Sequence, residues 1–170
     1  ILASLEHPNI ARLIDGGTTD AGVPYVAMEY VEGEPIDAFC QAHRLDVRRR
    51  LEIFLQVCAA VHYAHQHLVV HRDIKAANVL VTADGTPKLL DFGIAKLTQP
   101  GPAVDQTVTR YRVATPESAS PEQLQGKPIT IATDVYALGV LLFRLLTGES
   151  PYGSGVQSEA DLIRAVCEQE

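Results

Sequence analysis

The sequence has 170 residues but no tryptophan, one methionine and only three cysteines, Cys40, Cys58 and Cys167. The cysteines are odd in number and far apart, and none lies in a Cys-x-x-Cys spacing. This pattern indicates neither a disulfide framework nor a zinc site. It is typical of reduced thiols that pack as small apolar side chains. We therefore expect a cytoplasmic location.

Long apolar runs and excess positive charge are also missing. The most apolar stretch, 136–146, is interrupted by Gly139 and Arg144, so no segment is predicted to span a bilayer. A net charge of −7 argues against binding to nucleic acid or to an anionic membrane surface. Membrane contact is expected only through segments that are not in this chain.

What is present indicates one folded domain. An apolar fraction of 46% is ordinary for a globular protein, and 170 residues are enough to bury a core. The chain has no initiating methionine and no signal or transit segment, and it begins within a pattern at Ile1. We expect it to be a fragment of a longer protein.

A β-hairpin is predicted around Asp84-Gly85, which separates two short apolar runs. With a two-residue turn there, paired residues have numbers that sum to 169, and Asn78 lies opposite Asp91. Asp73 and Lys75 come just before this ribbon. Oxygen ligands in such a cluster suit Mg²⁺, which takes only one or two protein groups and completes its shell with water and phosphate. A surface hairpin with ordinary polar ends is the alternative.

These residues carry a resemblance to a known family. His71-Arg72-Asp73 through Asn78, followed by Asp91-Phe92-Gly93, resembles the catalytic loop and magnesium motif of eukaryotic-type protein kinases, most similar to bacterial Ser/Thr members. The resemblance implies an α+β protein-kinase-like fold, with a mainly helical large lobe and short β-hairpins. It implies structural roles for the residues His71, Phe92, Gly93, Glu122 and Asp134, with Asp134 capping the backbone of His71-Arg72.

The resemblance also implies the chemistry. Asp73 would orient a substrate hydroxyl and accept its proton, and Lys75 would steady the transferring phosphoryl group. Asn78 and Asp91 would hold Mg²⁺, with Mn²⁺ as an alternative, against the phosphates of ATP. Lysine two residues after Asp73 matches the Ser/Thr subclass, so the expected partner is a protein with a serine or threonine acceptor.

Residues 1–30 resemble the end of the kinase small lobe, and 31–170 resemble a large lobe truncated before its final helices. Met28 would be the gatekeeper beside adenine. The hinge would bind adenine through the carbonyl of Glu29 and the amide and carbonyl of Val31. A plain core methionine is the alternative for Met28.

Residues 95–122 resemble the activation segment. Thr107 and Thr109 match the spacing at which bacterial relatives are phosphorylated, and Arg72 suits a phosphate on this loop because guanidinium forms charge-assisted hydrogen bonds. Thr115 matches a hydroxyl that bonds the catalytic aspartate and lysine. Exposed threonines without a role are the alternative.

Two long helices are predicted. The first runs from about Asp46, its N-cap, to His67. Its buried stripe is expected to contain Leu51, Phe54, Leu55, Cys58, Val61 and His65. The second, Ile131–Thr147, ends at Gly148 and is apolar on nearly every face, so we expect it at the buried centre of the large lobe. A last helix is expected over Glu159–Glu168.

The predicted function is therefore a Ser/Thr protein kinase catalytic domain. The sequence contains no Gly-rich phosphate loop and no strand lysine of the Val-Ala-Ile-Lys kind, so this chain alone is expected to be inactive or very weak. A pseudokinase or scaffold that binds partners without phosphoryl transfer is the main alternative, although it has no need of Asp73, Lys75, Asn78 and Asp91 together. The motifs of this sequence resemble those of small-molecule phosphotransferases less closely.

Overall fold

The computed structural model describes residues 5–92, 118–153 and 158–168. Strands β1 (Leu13–Thr18) and β2 (Pro24–Met28) come first, and then β3 (Glu34–Pro35) leads into helices α1 (Ile36–Ala42) and α2 (Val47–Gln66). A 3₁₀ turn at Ala76–Asn78 precedes β4 (Val79–Val81) and β5 (Pro87–Leu89). Helices α3 (Pro121–Leu124), α4 (Ile131–Thr147) and α5 (Glu159–Glu168) follow. This mainly helical arrangement with short antiparallel strands confirms the predicted α+β class. The predicted division after residue 30 stays a prediction.

Local capping explains where the long helices begin and end. The Asp46 carboxylate accepts a hydrogen bond from Arg49 N at 2.9 Å, which confirms the predicted N-cap of α2. Thr130 caps α4 by accepting from Ala132 N, and Gly148 closes that helix with φ of 79°. Only glycine adopts this left-handed conformation at little cost, so the predicted bounds of α4 are confirmed.

The buried face of α2 differs from the predicted stripe. Phe54 and Val61 are buried as expected, but Leu55 is 64% exposed. The core side instead contains Ile53, Phe54, Val57, Ala60, Val61 and Ala64. The prediction was wrong because it chose the larger apolar side chains, whereas alanines and valines at helical spacing allow close packing against neighbouring elements.

Helix α4 is buried on one side only. Ala137, Leu141 and Leu145 are buried against the common core, whereas Ile131 and Val135 are 56% and 60% exposed. The prediction of a helix buried on nearly every face was therefore wrong within the described part of the chain. Within the same ranges no helix combines the length and apolar character needed to cross a bilayer.

Residues 9–11 are hydrogen-bonded to the β4–β5 hairpin. Strands β3, β4 and β5 form one antiparallel sheet, and β1 pairs with β2 in another. Beside β5, Leu89 N donates to Asn9 O at 2.8 Å, and Ala11 N donates to Leu89 O at 2.9 Å. Ile10 lies in a parallel bridge with Leu89, so it pairs with the β4–β5 hairpin, and strand β1 begins only at Leu13.

The β4–β5 hairpin has a different register from the predicted one. Val79 pairs with Leu89 and Leu80 with Lys88, so paired numbers sum to 168 rather than 169. The loop is one residue longer than predicted, since the Asp84 carboxylate accepts hydrogen bonds from the hydroxyls of both Thr82 and Thr86. Gly85 alone supplies the positive φ, at 85°.

This register changes the partner of Asn78. Leu90 N donates to Asn78 O at 2.8 Å, so Asn78 lies opposite Leu90. The predicted pairing of Asn78 with Asp91 was wrong by one residue. Asp91 follows directly and has φ of 49°, a left-handed conformation in which the backbone leaves the strand direction.

A pair of α2 variants tests which face of the helix is buried. Val57 is 1% exposed, so Val57→Ala is expected to lower the free energy of unfolding by about 1.5–3 kcal/mol. Leu55→Ala, which removes more apolar volume from an exposed site, is expected to cost about 0.5 kcal/mol or less. Chemical denaturation measures both, and an equal loss in the two variants would contradict the described packing.

Candidate active site

The backbone that precedes Asp73 is held by a buried carboxylate. Asp134, in the first turn of α4, is 0% exposed. Its Oδ2 accepts hydrogen bonds from His71 N at 2.8 Å and from His65 Nε2 at 2.7 Å. Its Oδ1 accepts from Arg72 N at 2.8 Å. These bonds fix the chain at His71 and Arg72, just before the predicted catalytic aspartate.

His71 connects this loop to the end of the β5 ribbon. Its Nε2 donates to Leu90 O at 2.7 Å, and its Nδ1 accepts from Asp73 N at 3.3 Å. The two contacts require a neutral ring with the proton on Nε2. Burial lowers the pKa of His71, although the nearby carboxylates of Asp134, Asp73 and Asp91 oppose that shift.

Three polar side chains converge after His71. Lys75 Nζ lies 2.9 Å from Asp73 Oδ2. The 3₁₀ turn at Ala76–Asn78 turns the chain back, so that Asn78 Nδ2 donates to Asp73 O at 2.8 Å and to Asp73 Oδ2 at 2.9 Å. Because both of these bonds use the amide nitrogen, the amide oxygen of Asn78 remains the atom suited to a cation.

Asp91 and Phe92 lie on the other side of this region. Phe92 is buried, and its ring centroid lies 4.7 Å from that of His71. Asp91 is exposed. A small cavity is lined by Asp91 and Phe92 together with Met28 and four residues of the preceding chain: Leu5, Ile10, Ala11 and Leu13. The predicted gatekeeper and the predicted metal ligand therefore border one space.

The predicted hinge begins at the end of β2. Glu29 N donates to Arg12 O at 2.9 Å, and the Glu29 carboxylate accepts from Lys88 Nζ at 2.8 Å. Val31 is half-buried, whereas Tyr30 is 91% exposed. Lys88 was not among the predicted site residues. Its place in a short strand gives no local signal that it reaches residue 29.

Helix α3 supports the loop from a third direction. Gln123 Nε2 donates to Arg72 O at 2.8 Å. Ser120 and Gln123 also form a reciprocal capping box. Gln123 was not predicted to contact this loop, although the Ser-x-x-Gln spacing does indicate the helix start.

Glu122 has a partner on the next helix. Its Oε1 accepts from Thr133 Oγ1 at 2.6 Å. Burial alone would raise the pKa of Glu122, but the hydrogen bonds it accepts, chiefly from Thr133, hold that pKa below its ordinary value.

Four predicted residues, Gly93, Thr107, Thr109 and Thr115, lie outside the described ranges. Among the residues that the structure does describe, no group of three or more histidine, cysteine or acidic side chains is arranged to hold a metal. Asn78 and Asp91 remain the candidates. Two protein ligands suit an ion that takes its other ligands from water and phosphate.

Comparison of the sequence with known proteins identifies its relatives. The sequence model of the protein kinase domain matches residues 1–169. The serine/threonine-protein kinase PknB of Mycolicibacterium smegmatis is 38% identical over 155 residues, which cover 88% of this chain and 24% of that protein. Serine/threonine-protein kinase A of Synechocystis is 39% identical over 155 residues, covering 84% of this chain and 29% of that protein. A probable serine/threonine-protein kinase PknB of Lactococcus lactis is 38% identical over 152 residues, covering 89% and 24%. The chain thus spans about a quarter of the length of these relatives.

The neutral state of His71 predicts a pH dependence of stability. Its pKa in the folded state is below the ordinary 6.5. Well above pH 6.5 the ring is therefore neutral in both the folded and the unfolded chain, and its titration does not lower the free energy of unfolding. As the pH falls below 6.5, the unfolded chain gains a proton that the folded state resists, and the free energy of unfolding decreases. His71→Gln has no titrating ring at this position. The slope of its free energy of unfolding against pH should therefore be smaller than that of wild type, by up to about 1.4 kcal/mol per pH unit. Urea denaturation between pH 5 and 8 measures it, and identical slopes would contradict a neutral buried ring.

Proposed function

This chain belongs to the protein kinase family, and from that premise we propose that its parent protein is an ATP-dependent serine/threonine kinase. Members of the family use ATP and a divalent metal. Because the chain spans only about a quarter of its relatives' length, the activity, substrate and partners of the whole protein are proposals.

The convergence of Lys75 and Asn78 on Asp73 carries this proposal. Asn78 donates to both the carbonyl and the carboxylate of Asp73, at 2.8 and 2.9 Å, and Lys75 lies 2.9 Å from the same carboxylate. A carboxylate held in this way has a fixed orientation and can accept the proton of an approaching alcohol. Lys75 supplies positive charge where phosphoryl oxygens would lie, and positioning with charge stabilisation is the main demand of phosphoryl transfer.

Asn78 and Asp91 are the proposed ligands of Mg²⁺. Asp73 engages the amide nitrogen of Asn78, so the amide oxygen is the atom of that side chain suited to a cation. Asp91 is an exposed carboxylate one residue beyond Leu90, the partner of Asn78. Both are hard oxygen donors of the kind that magnesium prefers; manganese accepts the same ligands. When bound, the ion neutralises phosphate charge.

The proposed adenine site uses Met28 and the main chain of Glu29 and Val31. It is supported by the cavity that Met28 shares with Asp91, since base and phosphates must lie within one nucleotide length of each other. Residues 1–30 would then belong to the small lobe and 31–170 to the large lobe. The free thiols support a cytoplasmic location.

Regulation is proposed through Thr107 and Thr109 as phosphate acceptors and Arg72 as the phosphate ligand. Thr115 is proposed to bond Asp73 and Lys75. The support is sequence spacing together with the position of Arg72, whose main chain is fixed by Asp134 and Gln123.

Replacing Asp73 tests the activity. In the full-length protein, Asp73→Asn is expected to lower kcat about 10²- to 10⁴-fold, because the amide cannot accept the hydroxyl proton. Transfer of labelled phosphate from ATP to a serine- or threonine-containing protein measures the rate. Asp20→Asn, in the exposed turn between β1 and β2, is the matched control and should stay within about twofold of wild type.

Undiminished transfer by Asp73→Asn would remove that residue from its assigned role. A wild-type protein that binds nucleotide and partners but transfers no phosphate would favour the scaffold alternative instead.

Replacing Asp91 tests the metal site. Asp91→Asn removes the charged ligand but keeps the shape of the side chain, so the Mg²⁺ concentration for half-maximal rate is expected to rise at least about tenfold. A magnesium titration at fixed, saturating ATP measures this change. An unchanged magnesium requirement would show that Asp91 does not hold the ion.

A further inference from the structure

An ion pair joins two segments of the proposed nucleotide site that are 59 residues apart in sequence. Lys88 Nζ lies 2.8 Å from Glu29 Oε1, and the two side chains are 23% and 31% exposed. The hydrogen bond from Lys88 is the largest contribution that lowers the pKa of Glu29, and it outweighs the effect of burial. With these exposures the pair is partly withdrawn from water.

Each partner is anchored in its own segment. Glu29 N donates to Arg12 O at 2.9 Å, which fixes residue 29 to the chain that enters β1. Lys88 lies in β5, opposite Leu80 of β4. The lysine is thus part of the ribbon, whereas the glutamate is part of the segment proposed to receive adenine.

Asp91 follows Lys88 by three residues. At about 3.3 Å per residue, the proposed metal ligand lies within about 10 Å of the lysine along the chain. A nucleotide must reach from the main chain of residues 29–31 to the ion held by Asp91. Its affinity therefore depends on the separation of these two segments.

We propose that Lys88 is a positioning residue for the nucleotide, because its ion pair with Glu29 sets the separation between the base-binding segment and the metal-binding end of β5. This inference rests on the proposed nucleotide site. Lys88 acts on the nucleotide through Glu29 and does not itself touch the base. The protein substrate makes no use of this separation, so its binding should not depend on the pair.

The experiment compares Lys88→Met and Glu29→Gln in the full-length protein. Glu29→Gln keeps the shape of the side chain and Lys88→Met shortens it by one atom, and each removes one charge. Each is expected to raise the Kd for ADP with Mg²⁺, and the KM for ATP, about three- to tenfold, as for the loss of one charge-assisted hydrogen bond. For Lys88→Met, the KM for the protein substrate and kcat at saturating ATP should stay within about twofold. Calorimetry and steady-state kinetics give these values.

Two further variants separate positioning from a general effect on stability. The double exchange Glu29→Lys with Lys88→Glu restores an ion pair of opposite direction and should return the ADP affinity to within about threefold of wild type. Glu52→Gln breaks the exposed pairs of Glu52 with Arg48 and Arg49 on α2, and should leave ADP affinity unchanged.

The inference is overturned if Lys88→Met and Glu29→Gln shift only the melting temperature, or if the KM values for ATP and protein rise together. It is also overturned if the double exchange binds ADP no better than the single variants. ADP binding needs no phosphoryl transfer, so these outcomes are separate from a failure of the proposed kinase activity. If Lys88→Met does not fold, Glu29→Gln and the double exchange still decide the question.

Discussion

The buried carboxylate of Asp134 is the contact on which the candidate site depends. A carboxylate removed from water is unfavourable unless each oxygen finds donors, and here the donors are two main-chain amides and a histidine. The two amides belong to consecutive residues, so the bonds fix a direction of the chain as well as a position. Arg72, the second of these residues, has φ of 70°, a conformation that a non-glycine residue holds only when its surroundings impose it.

The remaining contacts extend this constraint from the Asp73 loop to the Asp91 side of the candidate site. The His71 ring donates a hydrogen bond from Nε2 to Leu90 O and packs against the ring of Phe92. The side-chain amide nitrogen of Asn78 binds Asp73, and its main-chain carbonyl accepts a hydrogen bond from Leu90 N. Asp73 and Asp91 are therefore placed by one connected set of buried groups, although they are 18 residues apart. Such a set favours a single arrangement, since the loss of any member leaves a buried polar group unsatisfied.

Local signals in the sequence predicted what local interactions determine. Asp46 and Gly148 mark helix ends through their own backbone geometry, so the bounds of α4 and the N-cap of α2 were predictable. The hairpin was predicted, but its register was not. The register depends on two threonine hydroxyls binding Asp84, and turn residues alone do not reveal that competition. The buried side of α2 was misjudged because size was taken as a guide to burial, whereas close packing selects Ala60 and Ala64.

Long-range contacts explain the rest of the difference. His65, Lys88 and Gln123 reach the site from three separate elements, and nothing in their immediate sequence identifies their partners. The residues proposed to carry the chemistry were recognisable because a family motif keeps them close in sequence. Their supporting residues became visible only once the fold had brought distant segments together.

Amide hydrogen exchange in the full-length protein tests the central claim most directly. The account predicts that the amides of His71 and Arg72 are strongly protected, and that Asp134→Asn accelerates their exchange by about a hundredfold or more while Val57 N, in the middle of α2, stays protected. Unchanged protection of His71 and Arg72 in that variant would show that the loop is held by other contacts and would contradict the account.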